Sequence, residues 1–151
     1  MPKIDVLNEG VINGSPMEVY KAILDEVSGT THWWMPDIEF KLRGNTPIDS
    51  EGAVFDATIN PKSRMNVKFS GKITKLVEAK LIEDEVAGDF IGTGTWTFEP
   101  IDGKTKVQYR FNVKTNRLAM SLFAPFVNFS KRNSDVTQKG FKALNSYLNK
   151  K

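Results

Sequence analysis

This sequence predicts an α+β fold: an antiparallel sheet curled around one long C-terminal helix. Three observations carry that prediction. Between residues 38 and 113, apolar and polar residues alternate with a period of two. Ahead of that stretch stands a helix-start signature, Ser15-Pro16-Met17-Glu18, and beyond about Leu118 the apolar spacing changes to three and four. Period two marks strands with one wet and one dry face, whereas three-and-four spacing marks an amphipathic helix.

Residues 3–14 mix Val and Ile with polar neighbours, as a half-buried first strand does. Ser15 and Glu18 then have the spacing of a capping box, with Pro16 at the first helical position. Val19, Ile23 and Val27, flanked by Tyr20 and Leu24, give the helix its apolar stripe, and Ser28-Gly29 ends it. The segment "TTHWW" has the length of one further short helical turn. Pro36 moves Met35 out of helical geometry, so the chain leaves it extended. Two short helices are thus expected between the first strand and the second.

Alternation then takes over. Ile38, Phe40 and Leu42 share one face, as do Ala53, Phe55, Ala57 and Ile59. The same holds for Met65, Val67, Phe69, Gly71 and Ile73, and for Val107, Tyr109, Phe111 and Val113. Asn60-Pro61, Ala87-Gly88 and Asp102-Gly103 supply turn chemistry, which predicts a meander of about six hairpin-linked strands. From about Leu118 to Asn149, Phe129, Val136, Phe141, Leu144 and Leu148 recur at helical spacing. Pro125 kinks that helix or splits off its first turn. Gly140 marks either close backbone packing or simple tolerance, since glycine costs about 1 kcal/mol against alanine inside a helix.

Residues 1–151 fit one domain. The chain has no cysteine, which excludes disulfides, thiolate catalysis and sulfur-ligated metals. Its single histidine, His32, leaves no second imidazole for a metal, and no metal or other cofactor is expected. The net charge of +3 is interspersed rather than clustered, so nucleic acid is not an expected partner. The N-terminus lacks an apolar signal core, and "LAMSLFAPFVNF" near residue 120 is too short to cross a bilayer. The expectation is a cytoplasmic protein without an integral membrane segment, with transient membrane contact through that stretch as a further option.

Glycines interrupt the dry face. Gly71 is in phase with Phe69 and Ile73, and Gly92 and Gly94 are in phase with Phe90, Trp96 and Phe98. Either they mark bulges and the coiling of a bent sheet, or they thin the interior and leave a hollow. Within "LIEDEV", Glu83, Asp84 and Glu85 read as a solvated charge run, with Glu83 and Glu85 on the wet face.

"INGSPMEVY" followed by a helix, "HWWMPDIEF", "GTGTWTFEP" with "GKTKVQYRF", and the long last helix together resemble the SRPBCC, or START-like, superfamily, particularly its polyketide cyclase/dehydrase and lipid-transport branch. The resemblance covers essentially the whole chain. It implies a helix-grip fold, in which seven antiparallel strands, the first added to the last, wrap the C-terminal helix around an apolar cavity. Expected lining residues are Trp34, Phe55, Phe69, Gly92, Gly94, Trp96, Tyr109, Phe111, Phe123, Phe126 and Phe129. Adjacent residues on a helical turn diverge by about 100°, so one of Trp33 and Trp34 is expected under the first helix and the other, Trp34, at the cavity mouth. The leading expectation is binding or transport of a small hydrophobic ligand: a lipid, a polyketide-like molecule or an aromatic compound. Two alternatives stay open: a polyketide cyclase or dehydratase using an inward ionisable group (His32, Tyr109, Arg110 or an acid), and a chaperone-activator-like module with a protein partner.

Overall fold

The computed structural model describes residues 3–64, 66–116 and 129–150. They form β1 (Lys3–Ile12), α1 (Pro16–Val27), β2 (Ile38–Arg43), β3 (Val54–Ile59), β4 (Val67–Val77), β5 (Leu81–Gly88), β6 (Phe90–Ile101), β7 (Lys104–Thr115) and α2 (Phe129–Asn149). The strands make one seven-stranded sheet in the order β1-β7-β6-β5-β4-β3-β2, antiparallel throughout. β2 to β7 are the expected meander, and β1 adds to β7 from Lys3↔Lys114 to Ile12↔Thr105.

The capping box closes as its spacing requires. Ser15 Oγ accepts from the Glu18 N–H at 3.2 Å, and the Glu18 carboxylate accepts from the Ser15 N–H at 3.1 Å. Val19, Tyr20, Ile23, Leu24 and Val27 are buried, and Tyr20 stands edge-on to Phe98 of β6 with centroids 5.7 Å apart, which fixes α1 to the sheet. The second short helical turn is expected at residues 30–34; consecutive turns occupy residues 33–37. The Asp37 and Ile38 N–H groups both donate to the Trp34 carbonyl, at 3.1 and 3.3 Å.

Alternation governs burial along the sheet: Phe55 and Ala57, Phe69 and Ile73, and Val107, Tyr109, Phe111 and Val113 all face inward. The β6–β7 hairpin turns on Asp102 (φ 48°) and Gly103 (φ 78°), the left-handed pair that a two-residue loop between twisted strands prefers. The β4–β5 connection turns on Ala79 at φ 61°, a position the turn chemistry of the sequence does not mark.

α2 packs on the concave face, closest to β1. Phe141 lies over Gly10, where an added Cβ would come within 2.8 Å of its ring, and Leu144 and Leu148 are buried beside it. The Asn145 side chain ties the helix to that strand, accepting from the Asn13 N–H at 2.7 Å and donating to the Val11 carbonyl at 3.2 Å. The expected helix start near Leu118 and the kink at Pro125 lie outside the described residues. No described helix is long and apolar enough to cross a membrane.

Candidate functional site

Among the described residues, an inner and an outer space lie between sheet and helix. The inner one is a chamber of about 30 Å³, room for one or two waters, under the middle of the sheet. The outer one is a groove of about 670 Å³ between the β3–β4 end of the sheet and the first turns of α2. Ile59, Asn133 and Val136 belong to the walls of both, so the two adjoin. The groove has the size range of small-molecule sites. Pro36, Ile59, Val67, Phe90 and Val136 give it an apolar floor, while Lys62, Arg132 and Lys139 stand with Asp37 and Asp135 around it.

Trp34, Phe55, Phe69, Trp96, Tyr109 and Phe111 line the chamber, brought together from the turn after α1 and from β3, β4, β6 and β7. The Tyr109 ring stacks on Trp96 at 4.0 Å and 22°, and Trp96 meets Trp34 edge to face at 6.1 Å. Gly94 and Gly92 do not line it. Gly94 is the seat of the Asp84 carboxyl, which would lie 2.8 Å from an added Cβ. At Gly92 a Cβ would strike the Asn112 carbonyl of β7, so this glycine serves the close approach of two strands. Phe123 and Phe126 lie outside the described residues. Phe129 opens α2. His32 is exposed and lines neither space. Arg110 is on the wet face, paired through two nitrogens with Asp5 at 3.0 and 2.8 Å.

Two features depart from the sequence-based expectations. The glycine-thinned face leaves a smaller hollow than absent side chains suggest, because neighbours move into the vacated room: Phe55 fills the place of a Gly71 side chain, and Asp84 that of Gly94. The two indoles also do not diverge. Trp33 and Trp34 stack with centroids 5.6 Å apart and planes 8° from parallel. The divergence of about 100° belongs to a regular helix, whereas here the backbone N–H groups of both residues are drawn to the single carboxylate of Glu26, each at 3.0 Å. Trp34 is consequently core, 5 % exposed, rather than a mouth residue. Its Nε1 donates to the Val136 carbonyl at 3.0 Å, and its ring lies flat where a Gly140 side chain would project. Of the two readings of Gly140, the close-packing one matches the structure.

Sequence reasoning missed the group with the most chemical potential. Asp84 is not part of a solvated run: it faces inward from β5, 5 % exposed, between buried Ile82 and Val86. Its Oδ1 has no hydrogen-bond partner among the described residues. Burial pushes its pKa up to about 7 against a hydrogen bond from the Gly94 backbone N–H, which pulls the other way. Burial, reinforced by the Asp84 charge, likewise raises the Tyr109 phenol well above its ordinary value. The signal was present in the phase: if Glu83 and Glu85 are wet, the residue between them is dry. From α2, Asn133, whose Oδ1 is buried without a partner among the described residues, lines the same chamber. No cluster of three potential metal ligands occurs among the described residues.

No family model and no curated protein matches this chain. Solved structures do. KanY, determined in solution, superposes with a TM-score of 0.73 at 12 % identity, covering 99 % of both chains. Ara h 8.0201 gives 0.69 at 18 % identity over 99 % of this chain and 100 % of that one. The Aha1 protein of Colwellia psychrerythraea, solved as a dimer, gives 0.58 at 18 % identity over 96 % and 97 %. At such identities the likeness concerns the backbone path, and the chain has a Bet v 1/SRPBCC-like fold to which no sequence family is attached.

Proposed function

We propose that this protein binds a small hydrophobic molecule, seated in the groove and reaching toward the chamber. One observation carries the reading: a groove of about 670 Å³ with an apolar floor adjoins a buried chamber that holds polar atoms without partners. Apolar sites with a few placed polar groups take ligands by shape and orient them by hydrogen bonds. The architecture shared with Ara h 8.0201 is compatible with such a site. Native mass spectrometry of protein purified from its own source, with a thermal-shift panel of lipids and aromatic compounds, tests the proposal. A co-purifying apolar molecule or a class of stabilising compounds supports it. Absence of both overturns it.

A second reading, proton-transfer catalysis of the cyclase or dehydratase type, is favoured by Asp84 alone. A carboxyl near neutrality beside a phenol has the balance that general acid–base chemistry uses. In that reading Asp84→Asn abolishes turnover of a bound polyketide-like substrate and leaves its affinity in place. Unchanged turnover would remove Asp84 from any reaction.

A further inference from the structure

Resting on the groove-and-chamber reading, we propose that the chamber is a recognition pole for a neutral hydroxyl group, carried at one end of an otherwise apolar ligand and donated to Asp84 Oδ1. The groove then holds the ligand's apolar body.

The argument begins with what Asp84 lacks. A carboxyl inside a protein is expected to be paired or fully hydrogen-bonded. Asp84 is 5 % exposed, has one oxygen without a partner, and has no Lys, Arg or His among the described residues that share its chamber. Among the described residues it is therefore not half of an ion pair. Nor does the residue stand apart from the chamber: Asp84 belongs to its lining, with Oδ1 packed beside Gly94. Asn133, on the helix side and part of the lining of both chamber and groove, has a second buried acceptor oxygen without a partner among the described residues.

Size and charge narrow the class. About 30 Å³ admits a hydroxyl but not a ring, which assigns the body of the ligand to the adjoining groove. An ammonium head would also donate, but it would pass a groove where Lys62, Arg132 and Lys139 outnumber Asp37 and Asp135, and it would shed its hydration among aromatic walls. A neutral hydroxyl meets neither obstacle. A site built to hydrogen-bond such a group also discriminates strongly, since the analogue without it leaves buried acceptors unmet.

The charge state of Asp84 gives the proposal a signature. Of the described groups facing it, only Tyr109 of β7 titrates, and that phenol stays protonated far above neutrality. Ile73 of β4, Gly94 and Trp96 of β6, Trp34, and Asn133 and Thr137 of α2 carry no charge. Above a pH of about 7 the carboxylate accepts from a hydroxyl. Below it, the protonated acid offers a proton to a ligand carbonyl instead.

Three probes with one ring system read this directly: 2-naphthalenemethanol, 2-acetylnaphthalene and 2-methylnaphthalene, titrated into the full chain at pH 8.5 and pH 5.5. The expected result is a preference of about tenfold for the alcohol over the ketone at pH 8.5, the equivalent of one hydrogen bond to a charged acceptor, falling to parity or reversing at pH 5.5. In Asp84→Leu the preference disappears at both pH values while 2-methylnaphthalene still binds, and in Asp84→Asn it loses its pH dependence. Equal binding of alcohol and ketone at both pH values, with the methyl compound bound, overturns the recognition pole and leaves the groove reading standing. Failure of all three probes to bind overturns both.

Discussion

Two carboxylates are buried among the described residues, Glu26 and Asp84, and they are treated in opposite ways. Glu26, 2 % exposed at the end of α1, accepts from the Thr31 hydroxyl at 2.7 Å and from the Trp33 and Trp34 N–H groups at 3.0 Å each. Asp84, 5 % exposed on β5, has one backbone donor and one oxygen with none. The first carboxylate is a clamp: it gathers three donors from an irregular turn and in doing so sets the position of both indoles. The second gathers only the Gly94 N–H and sets no turn. Removing a polar group from water is tolerated when it builds structure; where it builds none, a role outside the packing is the natural reading.

The largest expected effect tests the clamp. Glu26→Ala leaves two backbone N–H groups and a hydroxyl without an acceptor inside the protein, and should cost about 5 kcal/mol in denaturant unfolding. A loss below about 1 kcal/mol would mean that the turn satisfies itself by other means, and the contrast with Asp84 would dissolve.

The next effect concerns Asp84 and runs the other way. An unfolded aspartate releases its proton near 3.8, whereas the folded group keeps it to about 7. Between those values the native state binds more protons than the unfolded chain, so stability falls as pH rises across the window. The loss is about 4 kcal/mol once pH passes 7, from the size of the shift. Asp84→Asn should flatten that slope and raise the melting temperature at pH 8. Chemical denaturation at pH 4, 6 and 8 measures both, and a slope unchanged by the substitution would show that another group carries it.

Gly140→Ala comes third. Alanine favours a helix by about 1 kcal/mol over glycine, but its methyl group would occupy the place of the Trp34 indole. Overpacking of this kind costs about 2 kcal/mol net, and a shift in Trp34 near-ultraviolet dichroism should accompany it. Net stabilisation would show that Trp34 has another position open to it. The smallest effect is the control: Arg110→Ala on the wet face breaks an exposed pair with Asp5 and should leave both melting temperature and probe binding unchanged.

How much of this could be read beforehand follows the same divide. The backbone path was legible because it rests on local rules: the Ser15–Glu18 box, strict alternation from Ile38 to Val113, and left-handed turn residues at Asp102-Gly103. Gly140 was legible only as one of two things, a place of close approach or a tolerated glycine, and not as the seat of Trp34, which lies 106 positions earlier in the chain. The site was less legible, because its defining residues break the rules of their own elements. Glu26 occupies the apolar stripe of α1 with Val19 and Ile23, and Asp84 the dry phase of β5 with Ile82 and Val86. In both cases the phase pointed inward while the residue type pointed outward. Phase was the better guide, since strand and helix geometry leave a side chain no choice of face.

The indole arrangement has an optical consequence. The three tryptophans of the sequence form one connected ladder, Trp33 on Trp34 at 5.6 Å and Trp34 against Trp96 at 6.1 Å, with Tyr109 stacked at its inner end. Excitation absorbed by any rung is shared with the others, and the innermost rungs border the chamber. The unlabelled chain therefore carries its own lamp at the place where a guest would arrive, and its emission colour and yield report on occupancy without any chemical tag.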